Sequence, residues 1–155
     1  MPTNMTKEER EAFLSDVHIC VLSINDPGKG PLTVPMWYNY EVGGDVWFMM
    51  QRESKKGRLL DIGARVSVCV QNETAPYRYV TVEGPVTAIE PYTVDRDILP
   101  MAKRYLGEKG GQAYAEQIRA GGSEGGGIKV VVHPERWLTV DYNKGQDGAR
   151  PVAED

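Results

Sequence analysis

Seven short runs of β-branched, aromatic and sulfur-bearing residues, at 17–24, 32–40, 45–51, 66–71, 78–89, 128–133 and 136–142, most constrain what this chain can fold into. Runs of this kind, bounded by glycine and proline, fit the pleated, half-buried surface of a sheet. The turns between them are explicit. "NDPGKGP" parts the first two runs, and "EVGGD" makes the next pair a hairpin in which Gly43 and Gly44 take positive φ. Helical spacing is confined to three places. Thr6 and Glu9 form a capping box ahead of Phe13, Leu14 and Val17, giving a helix over 6–16; a second helix is read at 54–62; and 95–119, interrupted by Pro100, Gly107, Gly110 and Gly111, reads as two short ones. Six or seven antiparallel strands with few helices predict a small, mainly β barrel.

A chain of 155 residues with 41% hydrophobic composition can bury one core, so a single domain over 1–155 is expected, its core at 10–142. The glycine-rich stretch 120–127 and the tail 144–155 read as flexible. A net charge of −4 and a pI near 5.3 provide no global positive field, so neither nucleic acid nor an acidic membrane is an expected partner. Nothing reads as an export signal or a membrane span, and a cytoplasmic location is expected. Cys20 and Cys69 sit inside apolar runs as reduced core residues. His18 and His133 lie far apart in strand patterns, and no metal site is expected. "GGSEGGGIK" lacks the spacing and context of a phosphate loop, and no G-x-S-x-G positions a nucleophilic serine.

In "DVWFMMQ", Val46, Phe48 and Met50 point one way and Trp47 and Met49 the other, so both faces are apolar. A wall with one side in water should alternate with polar residues. The outer face therefore needs a cover, either the short helices or a second copy of the chain, and a homodimer is the favoured answer.

The sharpest local feature is "QRESKKGRLL", where Arg52, Lys55, Lys56 and Arg58 crowd the start of the helix at 54–62. A helix start ordinarily attracts anionic side chains, so cations there point to an external anion. Ser54 is the natural N-cap, and its hydroxyl, the unpaired amides and the cations could converge on a phosphate. Upstream, Pro35 cannot donate to a ladder and marks an edge or bulge, leaving backbone groups of Val34 and Met36 free to meet a flat heterocycle. Trp37, Tyr38 and Tyr40 lie beside it and fit either a core or a cofactor wall.

The strand, tight hairpin and apolar strand, then S-x-K opening a helix, "ARVSVCVQ" and "APYRYVTVEGPV", resemble the pyridoxamine 5′-phosphate oxidase-like split β-barrels, over about residues 10–142. "PYRYVTVEG" looks like the branch that uses the deazaflavin coenzyme F420. The resemblance implies an FMN-binding-protein-like split barrel, dimeric, with cofactor sites at the subunit interface. It implies that Ser54 and Lys56 hold a phosphate, assisted by Lys55 and Arg58, and that the backbone at Val34, Pro35 and Met36 and at Met49, Met50 and Gln51 lines the ring. Trp37 stands beside that wall. It further implies that Tyr77, Arg78 and Tyr79 reach the cofactor held mainly by the other subunit. Trp137 falls in the region that often closes the pocket, and reads equally as a core anchor. No C-terminal motif for vitamin B6 phosphates is present, which argues against that substrate.

Five basic residues, counting Arg52 and Arg78, match the long anionic tail of F420 better than the single phosphate of FMN. The reading is thus an F420-dependent reductase that transfers a hydride to an electron-poor small organic substrate. The alternatives are an FMN-dependent oxidase or reductase, or a non-catalytic flavin- or deazaflavin-binding protein. No catalytic acid is assigned; Tyr38 and Tyr79 are candidate hydroxyl donors, beside solvent itself.

Overall fold

The computed structural model describes residues 3–122 and 125–145, so the expected flexibility of the tail from 146 onward and of 123–124 lies outside the described residues. A first helix, α1 (Lys7–Ser15), starts on the anticipated capping box: the Thr6 hydroxyl accepts from the Glu9 N–H at 3.2 Å and the Glu9 carboxylate accepts from the Thr6 N–H at 3.3 Å. The strands are β1 (Cys20–Ile24), β2 (Leu32–Met36), β3 (Asn39–Tyr40), β4 (Val46–Gln51), β5 (Arg65–Gln71), β6 (Arg78–Pro91), β7 (Gly127–Val132) and β8 (Arg136–Asp141). The helix α2 (Lys55–Leu59) follows β4. After β6 come a π-helical turn (Val94–Ile98) and α3 (Leu99–Ala120).

The sheet runs β2-β1-β5-β6-β7-β4-β3 with β8 paired to β6, and every pairing is antiparallel. Residues 78–85 of β6 pair with β5 and β8. Past a bulge between Val86 and Ala88, the same strand pairs with β7. That bulge turns the sheet into a half-barrel, as bulges bend and twist a strand. Alternation fills the inside: Cys20, Leu22 and Ile24; Val46, Phe48 and Met50; Val66, Val68 and Val70; Val80, Val82 and Val86, closed by Phe13 and Leu14 of α1. Each such side chain removed from water is worth about 1.5–3 kcal/mol.

Several expectations need correction. The run 32–40 is two strands, because the Tyr38 N–H donates to the Tyr105 hydroxyl of α3 at 3.0 Å and leaves the ladder. The count is therefore eight strands among the described residues rather than six or seven. Only Gly43 of the hairpin takes positive φ, at 81°. β1 starts at Cys20, so His18 precedes it and stacks on Phe13 with ring centres 4.5 Å apart. His133 follows β7, its Nδ1 2.8 Å from Asp45. Cys20 is buried and Cys69 half-buried, and both are free thiols.

The stretch 95–119 does divide, but only at Gly107, where φ is 79°. Pro100 sits in the first turn, where a missing N–H costs no helical bond. The second arm folds back so closely that a Cβ on Gly111 would lie 2.7 Å from the Lys103 N and Cα atoms. This helix pair covers the outer face of β4: Met49 packs into a second core of Tyr92, Val94, Ile98 and Ala115, while the Lys129 ammonium sits 4.3 Å from the centre of the Trp47 ring. No helix among the described residues is long and apolar enough to cross a membrane.

Candidate functional site

Where α3 rides over the ends of β2 and β4 it leaves a cleft of about 430 Å3. Met36 and Trp37 form one wall from the end of β2, and Met49, Met50 and Gln51 another from β4. The roof comes from the far side: Tyr92 after β6, Ile98 and Met101 before the Gly107 corner, Tyr114 and Ile118 after it. Trp37 is the fixed point. Its ring lies nearly parallel to Tyr105, 4.8 Å away with a 4° interplanar angle, and tilted against Tyr114 at 5.4 Å. Tyr105 is itself locked, its hydroxyl 2.6 Å from the His18 carbonyl. At the other end the Gln51 side-chain amide donates to the Tyr92 hydroxyl at 3.1 Å.

α2 opens at the rim of this cleft, because the Ser54 hydroxyl donates to the carbonyl of Gln51 at 2.6 Å. The same oxygen accepts from the Gly57 N–H at 3.1 Å, so Ser54 is the N-cap. Gly57 is required by contact: a Cβ there would lie 2.3 Å from the Gln51 carbonyl oxygen.

A model of the family described as pyridoxamine 5′-phosphate oxidase matches residues 6–117. The chain belongs to that family. Solved structures agree on the split-barrel fold. A conserved hypothetical protein of Mycobacterium tuberculosis superposes with a TM-score of 0.75 at 22% identity, covering 99% of this chain and 95% of the other. An F420 reductase gives 0.65 at 22%, covering 83% and 94%. An FAD- and haem-binding protein of Mycobacterium smegmatis gives 0.63 at 14%, covering 99% and 77%. No curated protein sequence matches the chain.

Within this member of the family, the anticipated residues separate. Met36, Trp37, Met49, Met50 and Gln51 converge on the cleft, with Ser54 at its edge. Val34 is half-buried in β2 and Pro35 faces outward opposite Val21; neither lines the cleft, although β2 is the sheet edge that Pro35 foretold. Tyr77, Arg78 and Tyr79 do not line this chain's own cleft either. Arg78 lies over the Phe13 ring at 4.9 Å, and Tyr77 is exposed. Trp137 packs edge-on to Tyr40 at 6.2 Å beneath the Arg10 guanidinium, a core anchor rather than a lid.

The basic cluster also divides. Arg52 holds the carbonyls of Gly57 and Leu60 at 3.3 and 3.0 Å and the Asp61 carboxylate at 3.4 Å, stapling α2 to the strand before it. Lys55 pairs with the nearly buried Asp26 at 3.3 Å. Among the described residues Lys56 and Arg58 form no ion pair. Of the five cations counted toward the longer coenzyme tail, Arg52 and Lys55 are thus held by carboxylates of the chain itself, and Arg78 lies away from this chain's own cleft. Tyr38 is no proton donor: it is fully buried, its hydroxyl donates to the Leu14 carbonyl at 2.6 Å, and burial pushes its pKa well above the ordinary phenol range.

The roof residues were missed in the sequence. Ile98, Met101 and Tyr105 recur at helical spacing, as do Tyr114 and Ile118, so the signal is one apolar stripe on each arm of α3. Their convergence needs the Gly107 corner, which turns two stripes toward the same strand ends.

Proposed function

We propose that this chain is an oxidoreductase that binds a flavin-type coenzyme, with the deazaflavin F420 as first candidate. The observation that carries this reading is an apolar, aromatic cleft whose β4 wall leads directly into α2, where Lys56 and Arg58 stand without ionic partners. A flat ring fits between the Met36–Trp37 and Met49–Gln51 walls, and its phosphate fits the two cations; the Ser54 hydroxyl, spent on its own helix, contributes the cap rather than a contact. When bound, such a coenzyme supplies hydride chemistry. The chain orients the ring, excludes water through the α3 roof and neutralises the phosphate. F420 is supported by the "PYRYVTVEG" resemblance and by an F420 reductase among the fold neighbours. FMN gains from the reduced cation count, since two cations suffice for one phosphate.

A homodimer belongs to the same proposal. Val21 and Leu138 are 39% and 61% exposed on the outer face of the sheet, in a register row Pro35, Val21, Cys69, Thr81, Leu138, with Tyr77 and Tyr142 also exposed. A contiguous apolar face of this kind seeks a cover. Sites at that interface would let Tyr77, Arg78 and Tyr79 serve the partner's coenzyme. Two free thiols are in keeping with a cytoplasmic location.

The activity is tested by mixing the protein anaerobically with reduced F420 or reduced FMN and a panel of quinones and enones. Protein-dependent oxidation of one coenzyme is expected. Tight binding without turnover of any acceptor would mark a coenzyme-binding protein instead.

A further inference from the structure

Trp37 forms a wall of the cleft, and Tyr105 stands behind it rather than in the lining. The Tyr105 ring backs the indole, and its hydroxyl reaches the main chain of two separate segments. It accepts from the Tyr38 N–H at 3.0 Å and donates to the His18 carbonyl at 2.6 Å, with the Tyr38 carbonyl 3.1 Å away. The Tyr38 N–H belongs to the peptide unit that joins it to Trp37, so this grip fixes the backbone next to the indole. Arg104 does the same one position earlier, donating to the Asp16 carbonyl at 2.8 Å. Consecutive residues of α3 thus take up carbonyls of the connection between α1 and β1. Tyr38 is fully buried, so without the Tyr105 hydroxyl its N–H would lose its partner away from water. Burial also pushes the Tyr105 pKa above its ordinary value, which keeps the proton on that hydroxyl at neutral pH.

We infer that Tyr105 is a positioning residue for the coenzyme: its ring and hydroxyl together set the angle at which Trp37 faces the cleft, and so the wall against which a flat ring lies. The inference rests on the coenzyme reading above. A phenylalanine at 105 would keep the stacked ring and lose the main-chain bonds, so the hydroxyl can be removed alone. Its effect on the coenzyme passes through Trp37, which makes it separable from a general loss of stability.

The test uses protein carrying 5-fluorotryptophan, whose three tryptophans give three fluorine resonances, that of Trp37 being the one lost in Trp37→Phe. In Tyr105→Phe the Trp37 resonance should shift or broaden while those of Trp47 and Trp137 stay in place. In calorimetric titrations with F420 and with FMN, Tyr105→Phe should hold whichever coenzyme the parent binds about five- to tenfold more weakly. In a Trp37→Leu background the same change should cost nothing further, because the residue through which it acts is gone. Thr139→Val is the control: it removes another buried hydroxyl, the acceptor for the Met5 N–H, and should lower the melting temperature while leaving coenzyme affinity alone. An unmoved Trp37 resonance, unchanged affinity in Tyr105→Phe, an additive loss in the Trp37→Leu background, or an equal loss in Thr139→Val overturns the inference. If the parent binds neither coenzyme, the coenzyme reading fails and takes the affinity claim with it, while the fluorine spectrum still decides whether Tyr105 orients Trp37.

Discussion

Asp97 is fully buried, and its neighbours explain how a carboxylate survives there. Burial alone would raise its pKa, yet the bonds from Arg96 and the Thr93 N–H, with Lys129 alongside, outweigh it and hold the carboxyl below its ordinary value. A group whose pKa is lower folded than unfolded stabilises the fold above the unfolded value and loses that contribution as pH falls through the folded one. Thermal melts should therefore show the unaltered protein losing stability below about pH 4, with Asp97→Asn less stable at pH 7 by about 1–3 kcal/mol and flatter in acid. An acid limb as steep in Asp97→Asn as in the parent would contradict this. Lys56→Ala should weaken coenzyme binding by about 1.5–3 kcal/mol, the worth of a charge-assisted bond to a phosphate. At this scale the wall residues were legible only through the family resemblance, which implied Met36 and the segment Met49, Met50 and Gln51, while the residues alone left Trp37 open between core and wall. The fates of Arg52, Lys55 and Ser54 were not, because they depend on partners such as Asp26 that only the tertiary fold delivers.

The roof of the cleft depends on one backbone corner. Gly107 supplies the positive φ, and Gly111 lets the returning arm touch the backbone of Lys103. Gly111→Ala places a methyl 2.7 Å from main-chain atoms that cannot rotate away. The arms must part, shifting Tyr114 and Ile118 off the cleft. The expected cost is about 1–3 kcal/mol in denaturant unfolding, with weakened coenzyme binding. Unchanged affinity in a destabilised variant would detach the second arm from the site. Strands and α1 were readable because alternation and a capping box are local signals. The break between β2 and β3 was not, since it is made by Tyr105, which lies 67 residues from Tyr38 in sequence. Nor does composition announce the π-helical turn, which Asp97 pins from within.

For the molecule as a whole, a mainly β barrel followed from strand count and turn spacing and its split form from the family resemblance, but its outer surface did not resolve as expected. The helices cover β4, whereas the face carrying Val21 and Leu138 stays open in the isolated chain. Light scattering at micromolar concentration should give twice the mass of 17.2 kDa, and Val21→Glu with Leu138→Glu should halve it. A monomeric parent would refute the dimer and leave Tyr77, Arg78 and Tyr79 without a coenzyme to reach. The coenzyme itself is the centre of the account, and Trp37 in the wall reports on it. Purified apo-protein titrated in parallel with F420 and with FMN, followed by tryptophan fluorescence, should show saturable quenching, tighter for F420, and lost affinity in Lys56→Ala. Absence of saturable binding by either coenzyme, or binding indifferent to Lys56, would contradict it.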